Sequence, residues 1–235
     1  MKVLIMSSSF SSYVIKDDEK QAIEIDNNNG FLDTLKKYLV KRGTMVIISG
    51  SPAKKHTDPT RITRQSFLMS GIPFEKYIYV DDTNKGNIDE YLKDADCVNL
   101  FGGHLYESNK FVNELGLKEK LKNFNGVIIG ASAGAMNLAG TVYAKPENED
   151  DFFPGFQKKL LGIGLTGVNI IPHYNILKDK VINGVSILND IVVKDSDEFT
   201  FYLLPDYSYI VQTEKTIDMF GDIYLLENRI IKKIN

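Results

Sequence analysis

Val127-Ile128-Ile129-Gly130-Ala131-Ser132-Ala133-Gly134 is the stretch from which the rest of the chain is read. Three consecutive branched apolar residues fit a strand buried on both faces. Small residues follow at once, so the chain can turn tightly and enter a helix pressed against that strand. Gly-x-Ser-x-Gly between a strand and a helix is the nucleophile-elbow pattern, which pushes the serine out at the strand's C-terminal end. Glycine is needed where a side chain would strike neighbouring backbone. A helix starting just beyond Ser132 adds free N–H groups and a positive end, both favouring charge that develops on an oxygen there.

Outward from this stretch, apolar runs alternate with helical spacing. Val3 to Met6 is a strand, followed by Ser7-Ser8-Ser9-Phe10-Ser11-Ser12. Gly30 to Arg42 predicts a helix, with Leu32, Leu35, Leu39 and Val40 on one face and Gly43 as its stop. Met45 to Ser49, Tyr77 to Val80 and Cys97 to Phe101 read as further strands, and Pro59 to Met69, Ile88 to Ala95 and residues 107–122 as helices. The expected fold is α/β, a three-layer αβα arrangement around a mostly parallel sheet. From Phe199 the pattern becomes strand-like through Ile234, with Asp206, Gly221 and Asn228 at turn positions. These segments read as antiparallel strands extending the same sheet, and residues 1–235 as a single domain.

Composition narrows the function. The 235 residues are 43% hydrophobic and 25% charged, as in a soluble globular protein. A formal charge of -3 leaves no electrostatic footprint for nucleic acid or an anionic membrane. Cys97 is the single cysteine, which excludes an internal disulfide and a cysteine-clustered metal site. Residues 123–144 and 160–177 lack Asp, Glu, Lys and Arg, but glycines, Pro172 and His173 interrupt them as membrane spans. The opening apolar run is too short for a signal-peptide core. The expectation is a cytoplasmic protein with no cofactor, no nucleic-acid partner and no membrane partner.

A serine needs a base to become a nucleophile, and the chain has three histidines. His56 lies among Lys54, Lys55 and Asp58 in a polar loop. His104 follows Gly102-Gly103 at a strand end, near the same sheet edge as Ser132, where a substrate contact is expected. His173 follows Ile170-Ile171-Pro172 and is the better base, because it comes after the serine with room between them for an acid. Glu147, Glu149, Asp150 and Asp151 are the acids in that interval, and sequence alone does not choose among them. Gly102-Gly103 offers backbone N–H groups to an oxyanion, paired with the N–H of Ala133.

Taken together, Phe101-Gly102-Gly103, Gly130-Ala131-Ser132-Ala133-Gly134-Ala135 and Pro172-His173-Tyr174 resemble the dipeptidase E and cyanophycinase family of serine peptidases. The resemblance implies a fold related to class I glutamine amidotransferases, with serine as nucleophile, and hydrolysis of a small peptide substrate. Carried across, Ser132 is the nucleophile, His173 the base and Glu147 the acid, with Gly103 and Ala133 as oxyanion donors. His104 stands where the family commonly has asparagine or aspartate. Arginine, the usual bidentate partner of a substrate carboxylate, is missing between residues 65 and 228, leaving lysines such as Lys145 or Lys178. Two other readings share parts of the pattern. An α/β-hydrolase esterase has the same elbow, but its acid and histidine usually come late in the chain. A flavodoxin-like binding module would use Ser7 to Ser12 as a phosphate loop, although that loop lacks glycine.

Overall fold

The computed structural model of the chain describes residues 1–49 and 59–235, so His56 lies outside the described residues. The apolar runs assemble into a seven-stranded sheet. Its order is Ile217–Phe220, Tyr209–Gln212, Val3–Ser7, Val127–Ala131, Cys97–Leu100, Thr44–Ile48 and Lys76–Val80. Neighbours from Val3–Ser7 to Lys76–Val80 pair in parallel, while Tyr209–Gln212 and Ile217–Phe220 run antiparallel.

Strand periodicity explains the layers, because successive side chains point to opposite faces. Leu4, Met6, Val46, Ile48, Val98, Leu100 and Ile128 face one core, which Phe111, Val112, Leu117 and Leu121 complete. Val3, Ile5, Met45, Ile47, Cys97, Val127 and Ile129 face the other, against Phe31, Leu32, Leu35 and Phe67. The helices Phe31–Tyr38 and Pro59–Met69 therefore cover one side, and Leu105–Glu114 and Leu117–Lys120 the other. Strands buried on both faces tolerate little charge, which is why the sheet's central runs read as continuous apolar sequence.

The closing strands depart from expectation. Only Tyr209–Gln212 and Ile217–Phe220 extend the main sheet. Phe201–Leu204, Tyr224–Glu227 and Ile230–Lys233 join Ile170–Pro172 in a second, four-stranded sheet. The reason is that Phe201 and Leu203 bury against Ile171, Leu188, Val192 and Leu226, whereas Leu204 on the other face reaches the main core. Two helices also differ. The first ends at Tyr38 rather than Arg42, and Gly43 donates its N–H to Asp96 instead of capping it. The pattern over 107–122 splits at Gly116, whose φ of 63° breaks the helical run. After the serine-rich segment comes a hairpin, Tyr13–Lys16 with Glu19–Ala22, which the sequence pattern did not reveal because its first strand is exposed throughout. Among the described residues no helix is long and apolar enough to cross a membrane.

Phe201 is fully buried in the second sheet's own core. Phe201→Ala should cost about 3–5 kcal/mol in chemical denaturation, whereas a loss below about 1 kcal/mol would contradict this packing.

Candidate active site

Four chain segments, two from each sheet, end beside one another. The parallel register pairs Ser7 with Ala131, so the next residues, Ser8 and Ser132, emerge side by side. In the second sheet Pro172 pairs with Leu204, so the chain just beyond these two parallel strands carries His173 and Asp206.

Ser132 occupies a sharp turn, with φ of 50° and ψ of -119°, a conformation that costs a non-glycine residue energy unless its surroundings fix it. Here its N–H donates to the carbonyl of Ser7 at 2.9 Å. The flanking glycines are required by close approach. A Cβ on Gly130 would lie 2.7 Å from Ala135 Cα, and one on Gly134 would lie 2.1 Å from the Leu100 carbonyl oxygen. The helix Ala133–Met136 can thus press onto two strands at once. Gly102 is equally confined, since a Cβ there would stand 3.1 Å from that of Ser132. This places the Gly102-Gly103 corner directly against the serine. Neither the Gly103 nor the Ala133 N–H donates a hydrogen bond among the described residues, so both are free to receive an oxygen.

His173 links serine to carboxylate. Its Nε2 lies 3.0 Å from Ser132 Oγ, and its Nδ1 lies 2.6 Å from Asp206 Oδ1. With Nδ1 protonated, the ring donates to Asp206 and leaves Nε2 to accept the serine proton. Asp206 is held from several sides. Ser9 Oγ donates to Oδ1 at 2.8 Å, Asn175 Nδ2 donates to Oδ2 at 3.0 Å, and the Asp206 N–H donates back to Asn175 Oδ1 at 3.0 Å. Burial pushes the Asp206 carboxyl up, but hydrogen bonds from Asn175, Ser9 and His173 outweigh it and hold the group below the ordinary value of 3.8.

The carboxylate that the structure sets against His173 is Asp206, not the expected Glu147. Glu147 is not the carboxylate on His173: its side chain lies 3.7 Å from Lys145 Nζ, and its carbonyl accepts from Lys180 Nζ at 2.7 Å. Glu149, Asp150 and Asp151 form a capped helical turn after Asn148. Searching only between serine and histidine missed Asp206. A usable signal was present, because Ile170-Ile171-Pro172-His173 and Leu203-Leu204-Pro205-Asp206 share one pattern: an apolar strand, a proline, then a polar residue. Ser8, Ser9 and Asn175 were missed as well. Of the serines that a flavodoxin-like module would offer to phosphate, Ser7 and Ser8 are fully buried, whereas Ser9, Ser11 and Ser12 are half-buried.

His104 begins the helix Leu105–Glu114 directly after Gly103. Its buried Nδ1 has no hydrogen-bond partner among the described residues, and its ring lies 6.0 Å from that of Tyr106. Burial, reinforced by repulsion from Lys180, lowers the Lys145 ammonium despite Glu147 beside it, whereas Lys178 is exposed. Among the described residues no three His, Cys, Asp or Glu side chains gather as a metal centre requires.

A strand-to-helix serine turned toward a histidine and a carboxylate, on a largely parallel αβα sheet, describes a serine hydrolase architecture. Comparison with known proteins narrows the class. The model of Peptidase family S51 matches residues 51–220, and the chain belongs to that family, making it a serine peptidase of the dipeptidase E type. Among solved structures, a peptidase from an acI-B1 Actinobacterium matches with a TM-score of 0.67 at 16% identity, covering 99% of this chain and 93% of that one. A peptidase E candidate from Listeria monocytogenes EGD-e matches with a TM-score of 0.59 at 15% identity over 100% of both chains. At these identities the two share the fold. Against curated protein sequences the chain has no significant match.

Two outcomes follow from the geometry. Gly134→Ala drives a Cβ into backbone rather than a movable side chain, and should lower unfolding stability by about 1–3 kcal/mol; an unchanged midpoint would count against the tight helix-on-strand contact. A carboxyl whose value is lowered on folding adds stability above its unfolded value and loses it as pH falls through the folded one. Carboxyl-carbon NMR should therefore find Asp206 titrating below 3.8, and a midpoint above that value would contradict the hydrogen-bond cradle.

Proposed function

We propose that this peptidase cleaves short peptides by acyl transfer, with Ser132 as nucleophile, His173 as general base and acid, and Asp206 as the group that orients the imidazole. The observation that carries the reading is the continuous relay of 3.0 Å and 2.6 Å from Ser132 through His173 to Asp206. The dipeptidase E type of the family supports a short-peptide substrate.

In the proposed reaction Ser132 Oγ attacks the peptide carbonyl carbon while His173 Nε2 takes the hydroxyl proton. The carbonyl oxygen gains negative charge and is received by the N–H groups of Gly103 and Ala133. Collapse breaks the carbon–nitrogen bond, and His173 hands its proton to the departing amine. Water then attacks the acyl group on Ser132 with His173 again as base, releasing the second product. Asp206 stays ionised and steadies the imidazolium formed in each half-reaction. The half-buried His104, one residue beyond the oxyanion corner, is the proposed contact for a polar group of the bound peptide.

The test is depletion of a pooled dipeptide and tripeptide library, followed by mass spectrometry. Wild type should remove a subset of peptides, and Ser132→Ala and His173→Ala should each lose about three or more orders of magnitude in turnover. Asp206→Asn should lose at least about a hundredfold, because the amide can favour the wrong imidazole tautomer. Glu147→Gln should stay within about threefold of wild type, its side chain being engaged with Lys145. A reversed order, with Glu147→Gln crippled and Asp206→Asn intact, would return the acid to Glu147. Full activity in Ser132→Ala would end the serine mechanism.

A further inference from the structure

Three consecutive residues at the end of the first strand each hold a different member of the relay. The Ser7 carbonyl accepts the N–H of Ser132 at 2.9 Å. Ser8 Oγ accepts the N–H of His173 at 2.8 Å and lies 3.4 Å from Asp206 Oδ1. Ser9 Oγ donates to Asp206 Oδ1 at 2.8 Å. The tripeptide is itself fixed, since Ser7 Oγ donates to the Ser9 carbonyl at 3.0 Å and the Ser8 N–H donates to the Ser208 carbonyl at 3.1 Å. These residues precede the family-matched region, 51–220.

We infer that Ser7-Ser8-Ser9 is a positioning clamp that sets the mutual geometry of Ser132, His173 and Asp206, with Ser9 acting on the reaction through the Asp206 carboxylate. The inference rests on the catalytic reading above. Its physical basis is that the three side chains come from separate elements. Ser132 follows the strand Val127–Ala131, while His173 and Asp206 follow Ile170–Pro172 and Phe201–Leu204 in the other sheet. No strand pairing between the two sheets fixes that relative placement, whereas the serine segment bonds to all three residues. Two of them also need an anchor, because Ser132 and His173 have positive φ, 50° and 58°. A backbone N–H held from outside resists the return of such residues to ordinary conformations.

A hydroxyl that merely filled space would be replaceable by a methyl group, and the clamp predicts otherwise. Ser9→Ala should lower kcat about tenfold with KM kept within about twofold, because a bond to a charged acceptor is lost away from the substrate. Ser9→Thr keeps the hydroxyl and should recover most of the loss. In Asp206→Asn, adding Ser9→Ala should remove little more, since both changes break the same chain of contacts. A second readout does not depend on turnover. Proton NMR at low temperature should show a downfield imidazole Nδ1–H resonance that His173→Ala abolishes and Ser9→Ala or Ser8→Ala shifts or broadens.

Wild-type kcat and an unmoved resonance in both alanine variants would overturn the clamp. So would a full, additive loss on top of Asp206→Asn. Failure of the catalytic reading looks different: Ser132→Ala would retain turnover, while the resonance still reports whether the serines position His173 against Asp206.

Discussion

The parallel pairing of Val3–Ser7 with Val127–Ala131 is the constraint on which the site depends. The register ends both strands at one level, so the first residues beyond them, Ser8 and Ser132, leave the sheet side by side. Ser132 is then fastened by its N–H to the Ser7 carbonyl. Shifting the pairing by one residue would turn one strand inside out relative to the other, so that its side chains meet the opposite helix-covered face. It would also carry Ser132 away from the bond that supports its unusual backbone. Burial of both faces makes such a slip expensive, so the hydrophobic core and the serine's geometry are secured by the same register.

A second sheet supplies what the first lacks. Parallel strands Ile170–Pro172 and Phe201–Leu204 end together and release His173 and Asp206 toward the serine edge. Each strand reaches a proline and then a polar residue, an economical way to stop pairing and present a side chain. His173 and Asp206 come close because their strands are neighbours, although thirty-three residues separate them in the chain. The small helix Tyr174–Leu177 adds Asn175, which donates to Oδ2, the Asp206 oxygen not bonded to the imidazole, and accepts the Asp206 backbone N–H. The ion is thus stabilised by neutral donors rather than by a buried counter-charge.

Much of the architecture was legible in the sequence, for identifiable reasons. Runs such as Met45 to Ile48 and Val127 to Ile129 are apolar on both faces, a pattern that fits a covered parallel sheet and little else. The elbow was legible because Gly130 and Gly134 answer a steric demand that no other residue meets. What escaped was long-range. Phe201–Leu204 has the same local pattern as a main-sheet strand, and only the burial of Phe201 and Leu203 against residues from other segments assigns it to a second sheet. Asp206 escaped for the same reason, since its relation to His173 is set by strand pairing rather than by distance along the chain. The serine-rich segment was ambiguous because exposed and buried serines look alike until their partners are known.

In the proposed mechanism Ser132 carries the acyl group while His173 and Asp206 activate it. Rapid acid quench during turnover of a cleaved peptide, followed by mass spectrometry of the digested protein, tests it most directly. The mechanism requires the acyl mass on the fragment containing Ser132, formed with wild type and absent with His173→Ala. Steady hydrolysis with the adduct on another residue, or an adduct that forms equally well without His173, would contradict it.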